Sequence, residues 1–150
     1  MGTFKNDGVQ VQEYVYDFAE DGGVKDVAIV LSDKDGFDPL PIGAITKGVT
    51  ADVQTAVTSG GAATVAWGNN DDADGYSGTT IAKATLVADF IANGWDNAAA
   101  LIWDDTNDHA IYPKVLDAAD GAFELLISTA DLTAGKIVFM VEYYFPKGSE

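Results

Sequence analysis

The chain holds one imidazole, His109, in the run Asp104-Asp105-Thr106-Asn107-Asp108-His109. Catalysis by a nucleophile and a base needs such a group beside a hydroxyl or thiol, with a third residue to orient it. No Gly-x-Ser-x-Gly accompanies His109 and the chain has no cysteine, so that set is missing and His109 reads as a solvated residue of an acidic loop. One histidine without cysteine also falls short of the usual zinc ligand sets. Paired carboxylates, as in glycoside hydrolysis, are the other route to chemistry. Of the 24 acidic residues 19 are Asp and 5 are Glu, and most of the Asp stand in turn clusters, where Asx turns account for them. Glu13, Asp52, Glu124 and Glu142 fall inside strand-like stretches instead. The glycine pairs Gly22-Gly23 and Gly60-Gly61 lack the surroundings of a phosphate-binding loop. The expectation is a protein that is not an enzyme and has no catalytic residues.

Oxygen-rich loops with a sharp glycine turn suit calcium. Asn69-Asn70-Asp71-Asp72-Ala73-Asp74-Gly75 has that composition, and Asp71, Asp72 and Asp74 are the candidate ligands of a structural calcium ion. The Glu that an EF-hand loop carries six residues after its glycine is replaced by Ile81. The competing reading is a plain acidic turn. Asp33-Lys34-Asp35-Gly36 has a similar form, with a lysine inside it. No other cofactor is expected.

The remaining residues with binding potential are aromatic. Trp67, Trp95 and Trp103 with Tyr76 could build a platform for stacking on sugar rings. Trp67 instead fits the core, because it closes the Ala63-Val65-Trp67 face of a strand. Trp95 and Trp103 flank Asp96-Asn97 and Asp104-Asp105, which places them near the surface, where Trp is enriched in interfaces. With Phe4 they are the candidate partner contacts.

Charge narrows the partners. The formal net charge is −16, from 8 basic residues, all of them Lys. A chain without arginine lacks the planar fork that reads guanine or clamps phosphate, and its field repels polyanions, so nucleic acid is excluded as a partner. An anionic membrane surface is disfavoured in the same way. The stretch Met1 to Asp7 carries neither a basic nor an apolar signal region, so no secretory signal is expected, and no apolar run approaches the roughly 20 residues of a membrane helix. At 47% hydrophobic and 11% aromatic residues the chain is too rich in core material to stay disordered. Residues 1–150 make one domain.

The elements that must position these residues are strands, because period-2 alternation recurs along the chain. Val9 to Phe18 alternates Val9, Val11, Glu13 and Val15 against Gln10, Gln12, Tyr14 and Tyr16. Val49 to Val57 places Val49, Ala51, Val53, Thr55 and Val57 on one face. Lys136 to Phe145 places Ile137, Phe139, Val141, Tyr143 and Phe145 together, with an opposite face that is also partly apolar. Val24–Leu31, Gly43–Lys47, Ala62–Trp67, Ala110–Leu116 and Ala122–Ser128 complete the set, separated by Gly- and Asp-rich turns. Ser59-Gly60-Gly61 reads as a tight hairpin pairing Val49–Val57 with Ala62–Trp67. Thr79 to Asn93 carries Ile81, Ala84, Ala88 and Ile91 on a helical stripe, with Thr79 or Thr80 as N-cap and Asn93-Gly94 as stop; Thr85-Leu86-Val87 would equally suit a strand. The fold class is all-β: an antiparallel β-sandwich, jelly-roll-like, with at most one short helix near 79–93.

The stretch Ile127-Ser128-Thr129-Ala130-Asp131-Leu132-Thr133-Ala134-Gly135-Lys136, running into Val138-Phe139-Met140-Val141-Glu142-Tyr143, resembles small structural proteins of tailed bacteriophages. Val15-Tyr16-Asp17-Phe18 with Asp21-Gly22-Gly23, and the run from Leu40-Pro41-Ile42-Gly43 to Ser59-Gly60-Gly61-Ala62-Ala63-Thr64-Val65, resemble the same group. The resemblance implies a virion protein of the capsid decoration or cement type, made in the host cytoplasm and bound to the major capsid protein on the capsid surface. Virion proteins are often symmetric homo-oligomers, and a trimer suits a three-fold lattice position. The alternative is a carbohydrate-binding or adhesive β-sandwich module of a tail or fibre, which would expose coplanar rings on one sheet face.

Overall fold

A computed structural model of the chain describes residues 8–92, 103–104, 109–110 and 114–146. Ten strands run in chain order: β1 (Gln10–Asp17), β2 (Ile29–Val30), β3 (Ile45–Ser59), β4 (Thr64–Gly68), β5 (Ile81–Ala82), β6 (Ile91–Ala92), β7 (Trp103–Asp104), β8 (His109–Ala110), β9 (Glu124–Ser128) and β10 (Leu132–Tyr144). One α-helical turn, α1 (Phe18–Asp21), follows β1. Two four-stranded antiparallel sheets result, ordered β1-β10-β3-β6 and β2-β9-β4-β5, while β7 and β8 pair with each other.

The pairings are nested. Outside the β7–β8 pair, β1 meets β10, β2 meets β9, β3 meets β6 and β4 meets β5. Apart from β4 and β5, which are neighbours in one sheet, these strands alternate in chain order between the two sheets of a β-sandwich. The inner faces supply the core. Tyr14 and Tyr16 of β1, Val49, Ala51 and Val53 of β3, and Ile137, Phe139 and Val141 of β10 meet Val65 and Trp67 of β4 and Leu125 and Ile127 of β9.

Two local expectations are corrected. Ser59-Gly60-Gly61 does not join paired strands: β3 bonds to β10 and β6, and β4 to β9 and β5, so the turn carries the chain from one sheet to the other. Its fittings are long-range. The Ser59 hydroxyl donates to the Asp131 carbonyl at 2.6 Å, and a Cβ on Gly61 would stand 2.7 Å from that of Ala130. Nor is there a helix in the described part of 79–93. That segment forms β5, a 3₁₀ turn at Lys83–Thr85 and β6. Besides local turn bonds, its backbone groups bond β3: Val57 N–H donates to Leu86 O, Val53 N–H to Phe90 O and Asp89 N–H to Val53 O, each at 2.9 Å. Leu86 is fully buried, so tertiary packing outweighs the helical stripe of Ile81, Ala84, Ala88 and Ile91, helix propensity being a weak prior that tertiary context overrides.

The candidate strands at Val9–Phe18, Ala62–Trp67, Ala122–Ser128 and Lys136–Phe145 correspond to β1, β4, β9 and β10. Gly43–Lys47 and Val49–Val57 fuse into β3. Val24–Leu31 contracts to the two residues of β2, preceded by a turn in which Asp26 adopts a positive φ of 61°.

Candidate interaction surface

β1 carries its valines outward. Tyr14 and Tyr16 are fully buried, whereas Val9 is 49% and Val11 58% exposed. The tyrosines win the inner face because each ring fills the gap between the sheets while its hydroxyl finds a backbone acceptor: Tyr14 donates to Asp38 O at 2.7 Å and Tyr16 to Gly22 O at 2.8 Å. Burial, followed by neighbouring tyrosines for Tyr14 and neighbouring carboxylates for Tyr16, pushes both phenols well above their ordinary value.

The outer face of the β1-β10-β3-β6 sheet is therefore a mixed apolar and acidic surface whose rows follow from the register. Val11 stands opposite Glu142, which stands opposite Gly48; Glu13 opposite Met140, then Thr50; Val15 opposite Val138, then Asp52, then Ile91. Ile91 is 53% exposed. On this face Val11, Glu13 and Ile91 are exposed, Val15, Thr50, Asp52, Met140 and Glu142 are half-buried and Val138 is buried, whereas an antiparallel sheet with one solvated face ordinarily presents polar side chains there. At the end of the row, Lys136 Nζ meets Asp17 Oδ2 at 3.6 Å.

The free edge of β1 is closed at its C-terminal end. Lys34 reaches across from the 3₁₀ turn Leu31–Asp33, donates to Val15 O at 2.8 Å and pairs with Asp21 Oδ2 at 2.8 Å, with Glu20 at 3.5 Å. Asp21 Oδ2 also accepts from Asp17 N–H at 2.8 Å. The Asp33-Lys34-Asp35-Gly36 turn thus serves a lysine that plugs a strand edge.

The Asp71–Asp74 loop lies between β4 and β5 and is knitted by Asx turns. Asn69 Oδ1 accepts from Asp71 N–H at 2.8 Å and Asp72 N–H at 3.0 Å, and Asp72 Oδ1 accepts from Asp74 N–H at 3.3 Å. Asp72 is buried and Asp71 exposed. Loss of solvation, then a hydrogen bond with Asp120 and the charges of Asp120 and Asp117, push the Asp71 carboxyl up. Among the described residues no three histidine or acidic side chains converge as a metal-binding group.

The other candidate residues separate. Trp67 and Tyr76 are in the core at 3% and 6% exposure, so neither belongs to a surface stacking platform; Trp67 packs 5.2 Å from Phe139 and Tyr76 5.7 Å from Phe123, between ring centroids. Trp103 opens β7, opposite Ala110, and Asp104 pairs with His109 of β8. Phe4 and Trp95 lie outside the described residues. Of the strand carboxylates, Glu13, Asp52 and Glu142 share the outer face described above. Glu124 stands on the other sheet, where burial and then the Asp33 charge push its carboxyl up.

No family model matches the chain, and no curated protein does. Solved structures do. The chain is similar in fold to a chain of the cyanophage Pam1 capsid asymmetric unit, with a TM-score of 0.61 and 19% identity over 97% of this chain and 91% of that one. It is also similar to a chain of the acidic stable capsid structure of Helicobacter pylori bacteriophage KHP30, with a TM-score of 0.54 and 14% identity over 95% and 92% of the two chains. At these identities the likeness establishes a shared β-sandwich fold across nearly the whole of each chain.

Proposed function

We propose that the protein is a non-enzymatic structural protein of a tailed-bacteriophage virion, a decoration or cement protein that binds the outer surface of the major capsid protein lattice and stabilises it. The observation that carries this reading is the end-to-end match, in both directions, with chains of two phage capsids. The match covers 97% and 95% of this chain and 91% and 92% of the two capsid chains, which supports a capsid role.

Charge supports a position on the outside. A chain of net charge −16 without arginine is repelled by packaged nucleic acid and gains nothing from facing it. Decoration needs binding and rigidity only, and a two-sheet scaffold with exposed apolar residues such as Val11 and Ile91 on one sheet face meets that need. A trimer on local three-fold positions is part of the proposal. Co-sedimentation tests it: the purified protein is mixed with shells assembled from the capsid subunit alone. Saturable binding and a higher temperature of shell disruption are expected, and a protein that stays in the supernatant at every ratio overturns the reading.

A further inference from the structure

β1 is the only long edge strand among the described elements. The edges at β2, β5 and β6 have two residues each, whereas β1 has eight and is paired on one side, with β10. The direction of its backbone groups follows from two contacts. Val15 O points away from β10 to Lys34, and Asp17 N–H points away from β10 to Asp21. In an antiparallel strand the N–H and C=O of one residue point the same way and alternate along the chain, and the β1–β10 register runs without a bulge. Val11 and Glu13 therefore aim both of their backbone groups at the open edge.

Natural sheets blunt such edges with charges, prolines or short strands. Here Lys34 and Asp21 close the end at Val15 and Asp17, but among the described residues no strand pairs with the outer edge of the stretch Val9 to Glu13, which carries two exposed valines on the outer face. We infer that Val9–Glu13 accepts an extended segment of a partner protein as an added strand, and that this segment sets apolar and basic side chains two residues apart, on the face it shares with Val11 and Glu13. The apolar side chains lie beside Val9 and Val11, and the basic ones face Glu13 and Glu142, the residue opposite Val11 on β10. Strand addition of this kind takes affinity from main-chain bonds and selectivity from alternate side chains. Charge selects the occupant: a second copy would bring another −16 to a short ladder, whereas a basic segment is steered toward it. The inference names a chemistry and an edge, and it stands whether the partner is a capsid subunit or another protein.

The probe is the seven-residue peptide Thr-Lys-Thr-Val-Thr-Val-Thr, which in antiparallel register sets its lysine beside Glu13 and its valines beside Val11 and Val9 on one face, blocked at both ends and added to the ¹⁵N-labelled protein. In the free protein the amides of Val11 and Glu13 are expected to exchange rapidly with solvent while those of Gln12 and Tyr14 are protected. At a peptide concentration filling nine-tenths of the sites, exchange at Val11 and Glu13 slows about tenfold, as 1 + [L]/Kd requires, and their signals shift. The counterpart with glutamate in place of lysine has no effect. Val11→Pro, which removes an edge N–H from a strand position that tolerates proline, loses the response while the far-ultraviolet spectrum is unchanged, and Glu13→Lys weakens it. Three results overturn the inference: no response at millimolar peptide in a folded protein, an equal response to both peptides, or an edge already protected in a two-chain particle, which would make the occupant a second copy. None of these bears on capsid co-sedimentation, so the two readings fail separately.

Discussion

The rings of Tyr14 and Phe123 lie 4.8 Å apart between centroids with 11° between their planes, and they belong to opposite sheets. Tyr14 comes from β1 and Phe123 immediately precedes β9. On its other sides Phe123 meets Tyr76 at 5.7 Å and Phe139 at 5.0 Å, so one phenylalanine joins three aromatic neighbours across the sandwich. Phe123→Ala is expected to lower stability by about 3–5 kcal/mol, the range for emptying a large buried ring site. Urea unfolding checks it, and a loss under 1 kcal/mol would mean that the sheets are held elsewhere.

Lys34 holds the end of β1 to α1 and the following turn through Val15 O and Asp21. Lys34→Ala leaves a half-buried carbonyl and a largely buried carboxylate with fewer partners, at an expected cost of about 1–3 kcal/mol. Hydrogen exchange at Asp17 and Phe18 should accelerate with it. Unchanged exchange would show that the plug is ornamental.

Tyr14, Tyr16 and Tyr76 all have their phenols pushed up, in each case chiefly by burial. For an acid whose folded value exceeds its unfolded value near 10, the neutral form is favoured by folding. The stabilisation is complete below pH 10 and is lost as the pH rises toward the folded values. Absorbance titration at 295 nm should therefore show these three tyrosines silent through pH 11 and then titrating together as the protein unfolds. Six tyrosines ionising smoothly near pH 10 in a folded protein would contradict the burial.

The Asp71–Asp74 loop closes its turns with its own side chains, Asn69 and Asp72 bonding the backbone that follows them. Chelation is expected to leave the melting temperature in place within about 1 °C. A calcium-dependent rise, following RT ln(1 + [L]/Kd), would show that Asp71, Asp72 and Asp74 act as ligands after all.

Alternation revealed most of the sandwich because strands with one buried face write their period into the sequence, as β3 and β10 do. It did not reveal which way β1 faces. Both halves of Val9–Phe18 carry side chains that can be buried, and the choice depends on Asp38 and Gly22 offering their carbonyls to Tyr14 and Tyr16. Pairing was equally hidden. Ser59-Gly60-Gly61 has the local chemistry of a hairpin, and only the distant Ala130 and Asp131 show that it bridges sheets. The segment after Thr79 looked helical because small residues satisfy a helical stripe by default, while the open edge of β3 was the stronger demand. The candidate surface was legible as residues but not as a surface: Val11 and Glu142, and likewise Asp52 and Ile91, become neighbours only through the β1-β10-β3-β6 order.

The most direct test of the proposed decoration role is a cryo-electron microscopy map of phage capsids assembled in the presence of this protein. The account predicts the two-sheet sandwich as discrete density on the outer surface of a continuous shell, at lattice three-fold positions. A sandwich that forms the shell itself, lines its interior, or is absent from the capsid would contradict it.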